Sequence, residues 1–374
     1  MNDCCGSGES ILVTSTQPNE AKTTMTCSLA ITAPLMGQTT LLIDGDLRGP
    51  WLAAPKTLDQ SVGERRAEPI TVSIIISTYN ARDVLADCLT SICKNAPSEP
   101  YEIIIVDDAS TDGTSDMVRA RFPRVHLLCN EVNRHYTFSN NWAIDEARGQ
   151  YLCLLNNDTV VLPEAFDRML AFLRENPDAG AVGCRLLNED GSTQWSIKPL
   201  PDLGAALFGG RSILIRLFPN NPFSRRRILH LDRDMTKPFT AGYISGAAKM
   251  MPRKVIDEVG HLDGRLFYHV DADYCKRITD AGYKCYYLPT AAVIHLNHKG
   301  GTMGSLRLRF RSLLSFHTDC YVYYCKHIQR NVWSPMRVVI LLGLVFHFLA
   351  LVAVQASAEL VGLMKWPSYP RRRV

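Results

Sequence analysis

Asn156-Asn157-Asp158 closes an apolar run, Tyr151-Leu152-Cys153-Leu154-Leu155. A run of that length reads as a buried parallel strand. A strand ending in two amides and a carboxylate brings oxygen ligands to the rim of a sheet, where open α/β folds bind their ligands. Oxygen ligands suit a hard divalent cation, and such a cation suits a diphosphate. Two further acids, Asp107-Asp108, follow a second apolar run, and Thr78-Tyr79-Asn80 follows a third. A carboxylate at Asp108 can accept a hydrogen bond from a pyrimidine N–H or a ribose hydroxyl. The Thr78-Tyr79-Asn80 turn can form a wall around a nucleobase, or serve as a plain turn. Helix capping accounts for Ser110 and Asp112, but not for consecutive acids at a strand end. These residues together describe a site for a nucleotide-diphosphate compound.

The elements that must position them alternate. Strands are expected at 72–76, 102–106, 125–129 and 151–155. Between them, Val84, Leu85, Cys88, Leu89 and Ile92 fall on one helical face. Residues 112–121 read as a second helix, and 140–147 as a third, closed by Gly149. Strands alternating with helices imply a mostly parallel sheet with right-handed crossovers, an α/β fold. A net charge of +4 is too small to suggest a nucleic-acid partner. The basic residues cluster late, at Arg225-Arg226-Arg227 and from Arg307 to Arg373, which points to a membrane surface at the C-terminal end. The twelve cysteines include no Cys-x-x-Cys pair, and no signal-peptide pattern opens the sequence. Free thiols in a reducing cytosol are therefore expected, without a structural zinc site.

The ordered set of motifs resembles the inverting family 2 glycosyltransferases over residues 71–300. It comprises Val72-Ser73-Ile74-Ile75-Ile76-Ser77-Thr78-Tyr79-Asn80, Val106-Asp107-Asp108-Ala109-Ser110-Thr111-Asp112-Gly113-Thr114, Ala147-Arg148-Gly149-Gln150-Tyr151 and Leu155-Asn156-Asn157-Asp158-Thr159. It is most similar to the rhamnosyltransferase-like branch that builds bacterial surface polysaccharides. The resemblance implies a GT-A fold, a Rossmann-like sheet with helices on both faces. It also implies a dTDP- or UDP-sugar donor and Mg2+ or Mn2+. By position, Asp108 would meet the nucleoside, with Asp107 and Asn80 beside it, and Asn141 would help hold the donor. Asn156 and Asp158 stand at the family's Asp-x-Asp motif, with Asp158 as the metal or diphosphate ligand.

On the acceptor side, the small residues around Gly246 and Ala247 resemble the strand that lines the family's acceptor pocket, although core packing would also select them. Phe267-Tyr268-His269-Val270-Asp271-Ala272-Asp273 falls where the family reads Glu-Asp-x-Asp, with Val270 in place of the glutamate. Asp271 matches the general base. Its alternative is a cap for a helix over 274–281. Asp273 is placed nearby on the acceptor side, or in a surface pair with Lys276 or Arg277. A lone histidine at a strand end is usually structural. His295, after Pro289, matches a family signature in which it ligates the metal or touches the diphosphate. Lys299 and its neighbouring glycines could close over the site. Trp195, Phe208 and Arg225-Arg226-Arg227 are candidates for sugar selection.

Residues 11–24 and 41–50 resemble the P-loop region of bacterial tyrosine kinases. Ala21 precedes Lys22 where a working P-loop has glycine, so 1–55 reads as a partial, inactive fragment followed by a linker over 56–70. The apolar stretch 338–354 within the helical 301–374 region is borderline for one membrane span. A span, an interfacial helix and a helix packed on the catalytic domain remain open. The expectation is a glycosyltransferase at the cytoplasmic face of the bacterial inner membrane. It would act on a polysaccharide or lipid-linked saccharide. The alternative is a catalytically impaired relative with a binding or scaffold role.

Overall fold

A computed structural model describes residues 69–194, 196–202, 233–296 and 306–360. The P-loop-like fragment, the linker through residue 68, Trp195, Phe208, Arg225-Arg226-Arg227 and Lys299 lie outside the described residues.

The chain begins as alternating strands and helices: β1 (Val72–Thr78), α1 (Arg82–Lys94), β2 (Tyr101–Asp107), α2 (Thr114–Arg121), β3 (His126–Cys129), α3 (His135–Glu146) and β4 (Tyr151–Leu155). Isoleucines at 74–76 and 103–105 are β-branched and buried, which suits strands covered on both faces. Then follow β5 (Thr159–Val161), α4 (Ala165–Glu175), β6 (Ala179–Leu187), β7 (Ile197–Lys198), β8 (Phe239–Ala241), β9 (Tyr243–Ile244) and β10 (Ala248–Pro252). Next come α5 (Arg253–Val259), α6 (Val270–Asp280), β11 (Lys284–His295), α7 (Leu306–His327) and α8 (Pro335–Leu360).

The main sheet has the order β3-β2-β1-β4-β10-β6-β11-β5, with β8 against β11. Strands β1–β4, β6 and β11 share one direction, while β5, β8 and β10 oppose it. The result is a mostly parallel α/β sheet of GT-A type. Each face is closed by its own apolar cluster, α1 and α4 on one side and α3, α5 and α6 on the other.

Three local expectations change. Helix α3 starts at His135, five residues before the expected 140, and α6 starts at Val270, before 274. Both early starts depend on distant carboxylates described below. Gly149 does not end a helix in a left-handed conformation. A Cβ there would lie 2.5 Å from the Ser73 nitrogen, so glycine is demanded by close approach to β1.

Helix α8 is long and apolar enough to cross a membrane over Pro335–Val354, by length and composition. Its main packing partner is α7, through contacts such as Phe310 with Phe348 at 5.3 Å between ring centroids. Phe346 is 76% exposed, and Leu342 and Leu349 are also exposed. The helix therefore does not bury its apolar surface on the catalytic sheet.

Candidate functional site

The C-terminal ends of β1, β2, β4 and β11 converge on one sheet edge. Thr78 is in register with Asp107, and His295 with Thr159 just beyond Asp158. The first loops there are laced together. Asn80, at φ 46°, accepts a hydrogen bond from the Thr111 N–H at 2.8 Å through Oδ1, and its own N–H donates to Ser110 Oγ at 2.8 Å. Tyr79 stays exposed at the mouth.

Asp107 is buried, and both its oxygens serve the loop. Oδ1 accepts from the Ser110 N–H at 3.0 Å and Oδ2 from the Ser115 hydroxyl. Asp107 therefore shapes the pocket instead of facing into it as expected. Asp108 is buried too. Its Oδ1 accepts from Asn130 Nδ2 at 2.8 Å and the Arg134 N–H at 2.7 Å, and its Oδ2 from the His135 N–H at 2.7 Å. This carboxylate stabilises the start of α3, supplying in trans what a helix N-terminus usually takes from its own N-cap. About one of its four lone-pair directions remains for a nucleoside.

The Asn156-Asn157-Asp158 rim lies beside His295. Asn157 Nδ2 donates to Thr78 Oγ1 at 3.0 Å, tying β4 to β1. Gln194 grips His295 twice. Its Nε2 donates to the His295 carbonyl at 2.5 Å, which leaves Oε1 as acceptor for the ring Nδ1–H at 3.0 Å. A carbonyl cannot donate, so the amide orientation is chemically determined, and ring Nδ1 carries a proton. Ring Nε2 then faces Asp158 Oδ1 at 3.3 Å and Asn156 Nδ2 at 3.4 Å.

A ring nitrogen opposite a carboxylate oxygen is an arrangement that a shared cation satisfies. No group of three or more His, Cys, Asp or Glu side chains able to hold a metal occurs among the described residues. Asp158 and His295 thus fit a half-site for Mg2+ or Mn2+, ions whose remaining positions are commonly filled by phosphate oxygens and water.

The acceptor half meets this rim through two consecutive residues. The Ala247 carbonyl accepts from the Asn156 N–H at 2.9 Å, and the Gly246 N–H donates to Asp271 Oδ2 at 2.7 Å. A Cβ on Gly246 would lie 2.6 Å from Asp271 Oδ1 and 3.0 Å from the Tyr136 hydroxyl, so this position requires glycine. Asp271 lies in the first turn of α6 but does not cap it. Its carboxylate points to Gly246 and to Lys249, whose Nζ donates to Oδ1 at 2.6 Å.

Two expected residues have partners within the fold. Asp273 has no exposed side-chain surface, pairs with Arg277 at 3.0 Å and with Lys326 and His327 at 2.7 Å each, and so does not line the acceptor side. Burial opposes its charge, but His327, Lys326 and Arg277 outweigh it and hold the carboxyl below its usual range. Asn141 exchanges two hydrogen bonds of 2.9 Å with the Leu262 backbone, which pins the 262 turn.

Residues that sequence reasoning passed over complete the site. Asp319 of α7 accepts from the N–H groups of Phe267, Tyr268 and His269 at 2.8, 2.5 and 3.1 Å, ordering the loop before Asp271. Lys249 left one signal, a lysine inside the apolar strand Ala248-Lys249-Met250-Met251. Gln194 and Asp319 left none.

Residues 73–260, about half of the chain, match the model of glycosyl transferase family 2. The chain is 28% identical over 277 residues, 71% of its length and 87% of the relative's, to an N-acetylglucosaminyl-diphospho-decaprenol L-rhamnosyltransferase of Mycobacterium tuberculosis. It is 34% identical over 117 residues, 30% of its length and 18% of the relative's, to a poly(ribitol-phosphate) beta-glucosyltransferase of Bacillus spizizenii. A similar fold occurs in GalNAc-T7, solved with UDP, GalNAc and Mn2+. There the TM-score is 0.50 at 18% identity, over 69% of this chain and 48% of that one. With its GT-A sheet and its site at the strand ends, the chain belongs to glycosyl transferase family 2.

Proposed function

We propose that this glycosyltransferase is metal-dependent and inverting. It moves rhamnose from a dTDP donor, UDP-sugars being the competing class, to a lipid-linked saccharide or growing polysaccharide at the cytoplasmic face of the bacterial inner membrane. The observation that carries the reading is the Gly246-Ala247 backbone. One residue holds Asp271 and the next holds Asn156, which sets a carboxylate beside the diphosphate rim.

Asp271 removes the proton from the acceptor hydroxyl. The acceptor oxygen forms the new bond to the anomeric carbon from the face opposite the diphosphate. The bond from that carbon to the diphosphate oxygen breaks, and its electron pair leaves with the nucleoside diphosphate. Configuration inverts, and no covalent enzyme intermediate is needed. Asp158 and His295 would hold Mg2+ or Mn2+, which when bound neutralises charge on the leaving group.

The rhamnosyl and lipid-linked assignments draw support from the name of the mycobacterial relative. The membrane assignment draws support from α8. Its 26 residues span about 39 Å at 1.5 Å each, more than a hydrocarbon core of about 30 Å. Trp333, 92% exposed, precedes it at the position of an interfacial anchor.

The test is release of nucleoside diphosphate from dTDP-, UDP- and GDP-sugars with Mg2+ or Mn2+, with and without lipid-linked acceptor. Metal-dependent turnover of one donor supports the reading. Failure with every donor and acceptor would favour a non-catalytic binding role.

A further inference from the structure

Lys249 is the second residue of β10, in register with Leu154 on one side and Gly183 on the other. Its side chain is 1% exposed. An ammonium in the centre of a sheet is unfavourable unless it is closely paired. Its partner is Asp271 Oδ1 at 2.6 Å, and its Nζ also lies 5.7 Å from the centroid of the Tyr274 ring. Asp271 is different in kind: its side chain keeps 23% exposure, so it touches both the core and the open site.

The other groups around the pair are neutral or belong elsewhere. From α3, the Tyr136 phenol approaches the same spot, and burial pushes its ionisation far above the ordinary range. From α6, Tyr274 is likewise raised by burial, and the buried Cys275 is held below its ordinary value, first by its hydrogen bond with Cys285 of β11 and then by Lys249. Arg277 lies on the Tyr274 ring at 4.7 Å and is paired with Asp273. From the loop before β10, the Gly246 N–H takes Asp271 Oδ2. Lys249 is the cation in direct contact with Asp271. Val270, next to Asp271, is buried in the core and adds no carboxylate.

We propose that Lys249 is the positioning residue of the reaction: its buried ammonium and the Gly246 N–H each take one oxygen of Asp271 and aim the carboxylate's remaining lone pairs at the acceptor hydroxyl. The inference rests on the reading of Asp271 as general base. The two donors hold the Asp271 carboxylate where it can accept a proton from the acceptor. The fixed ammonium also prevents it from rotating into the core. The strand placement gives the reason for a lysine here, since only a long side chain rooted in β10 reaches α6 from beneath the site.

The test compares wild type, Lys249→Met and Asp271→Asn in the full-length protein. Lys249→Met keeps volume and removes the charge. It should fold, bind nucleoside diphosphate with Mn2+ as wild type does, and lose about tenfold in kcat with donor KM unchanged. Unchanged kcat, or a loss of kcat matched by lost nucleoside diphosphate binding, with Asp271→Asn inactive, would overturn the role of Lys249 and leave the base assignment standing. Full transfer by Asp271→Asn would overturn the base assignment itself. Because Asp271→Asn strands the Lys249 charge, its folding is checked against the double variant Lys249→Met/Asp271→Asn, which should melt at higher temperature than Asp271→Asn alone.

Discussion

Gln194 and His295 hold each other by two hydrogen bonds, one from the glutamine amide to the histidine carbonyl and one from the ring Nδ1–H to the amide oxygen. This puts a proton on ring Nδ1 and directs Nε2 to Asp158. Groups that orient a metal-binding histidine are commonly worth 10–100-fold in metal affinity. Gln194→Leu should therefore weaken Mn2+-dependent binding of nucleoside diphosphate by about tenfold or more, measured by titration calorimetry. Equal affinity in the variant would show that the tautomer does not matter to binding.

Asp319 should matter to catalysis without touching substrate. Asp319→Ala leaves three backbone N–H groups before Asp271 without their acceptor. The cost is about 1–3 kcal/mol of stability, seen as a lower Tm. A drop in kcat with little change in donor Kd should accompany it, whereas Asp319→Asn, which retains an acceptor oxygen, should lose less of both.

The docking of α7 should weaken in acid. Arg265 first, and Lys326 as well, hold the Asp263 carboxyl well below the usual range, and Asp273 is also depressed. A depressed folded-state pKa means that the stabilisation is present above the unfolded value, about 3.9, and is lost as pH falls through the lower folded value. Melting temperature should therefore drop steeply below about pH 4. Lys326→Met, which removes a partner of both carboxylates, should flatten that fall. An unchanged slope would place the acid sensitivity elsewhere.

Gly246→Ala tests the acceptor corner. Its Cβ would occupy the place of Asp271 Oδ1, at 2.6 Å, and Asp271 is the softer neighbour. A displacement of about 1 Å commonly costs on the order of 100-fold in rate. Transfer should fall by that order while nucleoside diphosphate binding with Mn2+ is retained. Loss of both together would mean that the substitution disturbs β10 as a whole.

Membrane attachment through α8 is tested by flotation with liposomes of bacterial lipid. The full-length protein should float and resist extraction by alkaline carbonate. Replacing Leu342, Phe346 and Leu349, all exposed along the helix, with serine should release it and leave soluble donor turnover in place.

The strand cores and their acidic ends were legible from residues alone. Runs such as Ile74-Ile75-Ile76 and Ile103-Ile104-Ile105 are β-branched, apolar and short, and a parallel sheet is the structure that buries them on both faces. Asp107, Asp108 and Asn156 to Asp158 at the ends of such runs announced the edge where a ligand binds. What each polar atom faces was not legible, because partners lie far away in the chain. Helix α3 begins early because Asp108 receives its N-terminal N–H groups, and the loop leading into α6 is ordered by Asp319, 50 residues on. Asp273 and Asn141 have the residue types of ligands, yet the folded chain uses them as struts. Lys249 stood in the sequence as a charge in an apolar strand, and only the packing of α6 over β10 pairs it with Asp271. Local pattern determines which segments become strands and helices, since that depends on neighbouring residues. Only the tertiary structure decides which carboxylate is free to react, since that depends on which hydrogen-bond donors the fold brings to it.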